Sequence, residues 1–189
     1  MLKYQITDPK IYGDTVEKFA VSLDKTIKKY RADMVCFRDK ISKNRFELSK
    51  LFLTICKKNK ISKILINTDI YIAKKLKFDG VHLPSNKLTD IKKAKRYGLF
   101  VVASCHNKEE IRYAIKKKCD IITYSPIFNT PNKGKKKGLR DLKRVVNIHN
   151  IPTIALGGIV DDGYIKKIRT TKSIGFASIR YFTKGCLYD

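Results

Sequence analysis

The residues able to handle an anion are scattered along the chain but share one habit. Arg38 and Lys40 follow the apolar run "DMVCF", Asn67 ends "KILIN", His82 lies inside "GVHL", and Ser104 and His106 close "FVVASCH". Thr130, Asn132 and Lys133 come later in "SPIFNTPNKGKKKGL", and Gly157 and Gly158 in "LGGI". All but His82 stand at the end of a short apolar segment or in the loop past it. Guanidinium, ammonium, amide and hydroxyl groups offer positive charge and hydrogen-bond donors, and a glycine pair presents backbone N–H groups to a phosphate. Their common chemistry is recognition of an anionic group and stabilisation of its departure. Arg38 and Lys40 are alternate residues, so both point to the same side as the chain leaves a strand. Singly, each feature has a plainer use. Glycine pairs make tight turns, a histidine between Val81 and Leu83 reads as an interior imidazole, His106 as a helix-start residue, and exposed cations make weak surface ion pairs. The convergence carries the reading.

Other chemistries leave no trace in the sequence. It holds no G-x-S-x-G, HExxH or GxGxxG motif, and no paired carboxylates at these positions. The loop from Ser125 to Leu139, rich in Pro, Gly and Lys, is longer than packed elements usually need, which marks it as either functional or disordered.

The elements that must position these groups follow from hydrophobic periodicity. Strand-like runs at residues 3–7, 33–38, 63–67, 80–83, 100–104, 120–124, 152–156 and 173–177 alternate with helical stripes. The clearest stripes are Val16, Phe19, Ala20, Leu23 and Ile27, then Leu48, Leu51, Phe52, Ile55 and Cys56. Such alternation implies parallel strands with right-handed crossovers, and eight units close into a (β/α)₈ TIM barrel, with a doubly wound open sheet as the alternative. In a barrel all the strand ends meet at one rim, which gathers the anion-handling residues. Only "SIRYFTKGCLYD" follows the eighth run, so the barrel is small and its eighth helix short or missing. One domain over residues 1–189 is expected, because no linker or repeat interrupts the pattern.

Composition narrows the function classes. With 43% hydrophobic and 31% charged residues the chain is globular, and its apolar runs are far shorter than the roughly 20 residues that span a bilayer. No membrane partner and a cytoplasmic location are therefore expected, since the N-terminus also lacks a signal-peptide core. The net charge of +25 is spread in pairs and triplets of lysine, not gathered on one element. It favours anionic ligands generally, and a polyanion- or RNA-binding protein is the distant alternative, without an aromatic-rich RNA motif to support it. Five cysteines, Cys36, Cys56, Cys105, Cys119 and Cys186, form no CxxC pair and read as free thiols.

In order along most of the chain, "YQITDPKIYG", "FRDK", "ILINTDIYIAKKLKFDGVHL", "VVASCHNKEEIRYAIKKKCDIITYSPIFNTPNKGKKKGL" and "IPTIALGGI" resemble the thiamine phosphate synthase/TenI superfamily. The resemblance implies a (β/α)₈ barrel that joins hydroxymethylpyrimidine diphosphate to the nitrogen of a thiazole phosphate, releasing pyrophosphate. Its dissociative mechanism needs no general base. By the same resemblance, Arg38 and Lys40 bind pyrophosphate, Asn67 holds the diphosphate and pyrimidine end, and His82 is the histidine of the "GVHL" step. Ser104 and Lys133 are the catalytic candidates, the first assisting the leaving group and the second holding it. Thr130 faces the thiazole, Asn132 stands where the family has threonine, and Gly158 with the backbone of Ile179 and Arg180 cradles the thiazole phosphate. The phosphorylated pyrimidine and thiazole are the implied partners. A second chain covering the gap left by the short last helix would make a homo-oligomer.

The resemblance also implies magnesium, held by two aspartates. Those positions are Thr68 and Lys87 here, and Cys36 replaces a glutamine, so Asp69 is the remaining candidate ligand. The TenI branch carries a histidine after the sixth strand, where "YSPIF" has none. An altered TenI-like protein that binds thiazole phosphate or thiamine phosphate is the alternative function.

Overall fold

The computed structural model describes residues 1–13 and 15–184; Cys186 lies outside them. Eight strands form: β1 (Leu2–Ile6), β2 (Met34–Phe37), β3 (Lys63–Asn67), β4 (Gly80–Leu83), β5 (Phe100–Cys105), β6 (Ile121–Tyr124), β7 (Thr153–Leu156) and β8 (Gly175–Ser178). They pair in chain order, all parallel, and β1 pairs with β8 to close the barrel. The open-sheet alternative is thereby excluded.

The strands read as nearly unbroken apolar runs because both faces are buried. Alternation divides them: Tyr4, Ile6, Met34, Cys36, Leu65, Val102, Ile121, Ile154 and Ala177 fill the barrel. Their neighbours, such as Val35, Phe37, Ile64, Ile66, Val81 and Ala103, pack outward against the helices.

The helices are α1 (Pro9–Tyr12), α2 (Val16–Tyr30), α3 (Arg45–Lys58), α4 (Ile70–Leu76), α5 (Ile91–Arg96), α6 (Lys108–Lys116), α7 (Gly138–Ile148) and α8 (Asp162–Arg169), with 3-10 helices at Ser85–Asp90 and Arg180–Thr183. Side-chain oxygens of Thr15, Asp69, Asn107 and Asp161 accept from the free N–H groups that begin α2, α4, α6 and α8. The stripe of α2 starts one turn later than its apolar spacing suggests. Val16 sits in the first turn and is 40% exposed, whereas Phe19 and Leu23 are buried.

After β8, the described chain forms the 3-10 turn Arg180–Thr183 where the helix following the last strand would run. Phe182 in that turn is buried, stacked on Phe176 with ring centroids 5.8 Å apart and edge-on to Tyr30 at 5.6 Å. Phe182 and Tyr181, the latter edge-on to Phe176 at 5.1 Å, thus cover the outer face of β8. Among the described residues, no helix is long and apolar enough to cross a membrane.

Candidate active site

Inward-facing positions continue upward in steps of two from the barrel core, so Cys36, Leu65 and Val102 are succeeded by Arg38, Asn67 and Ser104 at the C-terminal ends of β2, β3 and β5. Register does the rest. Asn67 lies beside His82, and Ser104 beside Thr123. The His82 ring is buried and bridges two hydroxyls: Nδ1 is 3.0 Å from the Tyr4 oxygen and Nε2 is 3.0 Å from Ser104 Oγ. Thr123 Oγ1 stands 3.5 Å from both His82 Nε2 and Ser104 Oγ.

Burial, assisted by the Arg38 charge, lowers the His82 pKa to about 4, so the ring is neutral at physiological pH. Burial also holds the Tyr4 phenol well above its ordinary value and pushes the Cys36 thiol up to about 12. The hydrogen-bonded centre is therefore uncharged. A neutral imidazole donates through one nitrogen and accepts through the other. In the tautomer in which Tyr4 donates to Nδ1, the Nε2–H donates to Ser104 Oγ and the serine proton stays free.

Around this centre the strand exits are tied to one another. Asn67 Nδ2 donates to the His82 carbonyl at 2.7 Å, and the Thr68 N–H donates to the same oxygen at 3.0 Å. The Arg38 N–H donates to Thr7 Oγ1 at 2.9 Å, and its guanidinium meets the Asp8 carboxylate at 2.5 Å. His106 packs its Nδ1 against the Ser125 carbonyl at 3.0 Å while its N–H donates to Glu110, so it ties the segment before α6 to the exit of β6.

The loop after β6 folds down over the loop after β7. Ile127 and Phe128 donate their N–H groups to Leu156 and Gly157, and Lys137 and Gly138 donate back to Pro126 and Ile127. The glycines at 157 and 158 are required by this cover. Both have positive φ, 99° and 73°; a Cβ on Gly157 would lie 2.8 Å from Pro126 Cα, and one on Gly158 would lie 2.6 Å from the Asn129 carbonyl. Within the loop, Thr130 Oγ1 donates to the Phe128 carbonyl at 3.0 Å, and the Lys133 N–H donates to the Thr130 carbonyl at 3.2 Å. Asn132 occupies the left-handed position of that turn, at φ 57°, which asparagine tolerates better than a β-branched residue.

Of the residues singled out in the sequence, Asn67, His82 and Ser104 are brought into one hydrogen-bonded set, with Arg38 at its edge. Thr130 lies beside the Gly157–Gly158 turn. Lys40, Asn132, Lys133 and Arg180 are exposed on the surrounding loops, and Ile179 is half-buried at the exit of β8. Tyr4, Thr123, Asp8 and Arg45 were not foreseen. For Tyr4 the signal was its inward parity with Ile6, but parity alone does not reveal its partner, 78 residues away.

Magnesium asks for oxygen ligands, carboxylates above all. Thr68 and Lys87 supply no carboxylate, Lys87 being exposed in the 3-10 helix after β4. Asp69 is already engaged: Oδ1 accepts from the Ile72 N–H at 2.9 Å, and Oδ2 faces the Arg45 guanidinium at 3.5 Å. Among the described residues, no group of three His, Cys, Asp or Glu side chains could hold an ion. The donors present do not fit magnesium.

Comparisons with known proteins agree with this architecture. The family model described as "Thiamine monophosphate synthase" matches residues 3–182. A protein of Aquifex aeolicus (strain VF5) named "Putative thiamine-phosphate synthase 2" is 38% identical over 184 residues, covering 95% of this chain and 96% of that one. The thiamine-phosphate synthase of Hydrogenobaculum sp. (strain Y04AAS1) is 32% identical, covering 82% of this chain and 74% of its own. In fold, the chain is similar to a thiamine phosphate pyrophosphorylase from Pyrococcus furiosus, with a TM-score of 0.84 at 24% identity over 98% of this chain and 89% of that one. The chain belongs to the thiamine monophosphate synthase family.

Proposed function

We propose that this protein transfers the hydroxymethylpyrimidine unit from its diphosphate to the ring nitrogen of a thiazole phosphate, forming thiamine phosphate and pyrophosphate. The observation that carries the proposal is the neutral His82 bridging Tyr4 and Ser104 beneath a cationic rim. The bond between the pyrimidine methylene carbon and the diphosphate oxygen breaks heterolytically, and its electron pair leaves on oxygen. Ser104, its oxygen held by His82, donates a hydrogen bond to that oxygen as negative charge grows there. Arg38, Lys40 and Lys133 balance the diphosphate charge.

The thiazole nitrogen then captures the methylene cation with its lone pair and becomes quaternary. No proton is lost, so a centre without a charged base suffices. Gly158 and the backbone N–H groups of Ile179 and Arg180 receive the thiazole phosphate, Thr130 borders it, Asn67 holds the pyrimidine end, and Asn132 shapes the loop that carries Lys133. Asp8 keeps Arg38 poised at the rim until the diphosphate arrives.

A second reading is favoured by Thr68 and Lys87, which stand where the resemblance expects carboxylates. In it the chain binds thiazole phosphate or thiamine phosphate without turnover. Incubating the purified chain with both phosphorylated precursors separates the two. Formation of thiamine phosphate supports the transferase; tight binding of thiazole phosphate with no product supports the second reading.

A further inference from the structure

We propose that Arg45 serves as a built-in cation for the diphosphate, assisted by Lys87, so that the site binds pyrophosphate without a divalent metal. The inference rests on reading the rim as a diphosphate site. Arg45 is the first residue of α3 and reaches across to the exit of β3. Its Nη2 donates to the Asn67 carbonyl at 3.2 Å, and Nη1 lies 3.5 Å from Asp69 Oδ2. A guanidinium thus sits against the two oxygens, one carbonyl and one carboxylate, that a rim cation at this strand would take. An ion placed on Asp69 Oδ2 would face a permanent positive charge at van der Waals distance.

The guanidinium also has donors to spare. It carries five N–H groups, and the buried Nε has no acceptor among the described residues. A buried donor without a partner is costly and leaves the guanidinium under-satisfied in the ligand-free protein. The Arg45 side chain is 31% exposed, so an anion at the rim can reach it. The next strand exit repeats the substitution of charge: Lys87, exposed in the 3-10 helix after β4, puts an ammonium where a carboxylate would be needed to hold a metal. Arg45 and Lys87 act in the same direction, supplying positive charge where a metal would need oxygen ligands.

Calorimetric titration of the full chain with inorganic pyrophosphate, in EDTA and then in magnesium, tests this. Binding is expected in EDTA, and magnesium is expected to leave it unchanged or to weaken it by sequestering free pyrophosphate. Arg45→Gln should weaken binding in EDTA by about tenfold or more, the loss of a charge-assisted contact, while Lys135→Gln on the exposed loop should not. Thr68→Asp combined with Lys87→Asp should make binding magnesium-dependent. If Arg45→Gln lowers thermal stability, Arg45→Lys, which keeps the charge, should retain more affinity than Arg45→Gln at matched folded fraction. Binding that appears only with magnesium, or an Arg45→Gln chain as avid as the parent, overturns the inference and leaves the proposed transferase standing. No binding in either condition removes the diphosphate site itself, and the proposed function with it.

Discussion

His82 keeps its neutral ring because the barrel interior solvates an imidazolium poorly and Arg38 adds like charge nearby. Unfolding exposes the ring and returns it to a pKa near 6.5. Between about pH 6.5 and 4 the unfolded chain therefore binds a proton that the folded chain does not, and stability must fall on acidification. The depressed pKa corresponds to a loss of up to about 3 kcal/mol by pH 4. Denaturant unfolding across this window should show that loss in the parent chain and a flatter profile in His82→Gln; equal profiles would mean that His82 is not the titrating group. In the proposed transfer, Ser104 has a different kind of role, toward an oxygen that gains charge only as the bond breaks. Ser104→Ala is accordingly expected to lower kcat by about 10²-fold with little change in KM. A rise in KM at unchanged kcat would assign the hydroxyl to ground-state binding instead.

The two loops after β6 and β7 behave as one unit, since the first supplies the roof over the second. Gly158→Ala would place a methyl against the Asn129 carbonyl and force a residue with a Cβ to hold φ 73°. It should destabilise the protein by about 1–3 kcal/mol, read as a lower melting temperature; an unchanged midpoint would mean that the loop lifts away at little cost. Within the β6 loop, Lys133 closes the turn that begins at Thr130, whereas Lys136 lies beyond it. Lys133→Ala should weaken pyrophosphate binding far more than Lys136→Ala, and equal effects would contradict this division. Much of this was legible in the sequence, because alternation fixes which strand residues point inward and apolar run ends fix the rim. What was not legible was the layer at which inward residues meet. Tyr4 and His82 touch across the barrel because of its register, and Arg45 reaches Asn67 only through the angle at which α3 starts. Gly157 and Gly158 were readable as a phosphate cradle or a tight turn; the structure adds a third reason, the overlying chain from Pro126 to Asn129.

The excess of positive charge is a property of the whole surface as well as of the site. Lysines on the helices pair locally, Lys28 with Asp24 at 2.5 Å and Lys95 with Asp120 at 2.8 Å, or lie over aromatic rings, as Lys74 does over Tyr97 at 4.3 Å. Such contacts account for some of the lysines without a polyanion, while the net positive charge favours anionic ligands in general. The same barrel places an uncharged hydrogen-bonded centre under cationic loops, an arrangement suited to releasing a diphosphate and unsuited to base catalysis. The proposed function stands on chemical turnover. The most direct measurement is mass-spectrometric quantification of thiamine phosphate, together with released pyrophosphate, from the purified chain supplied with hydroxymethylpyrimidine diphosphate and thiazole phosphate. The expected result is the two products in equal amounts, abolished or strongly reduced in Ser104→Ala. Absence of thiamine phosphate from a folded chain shown to bind both precursors would contradict it.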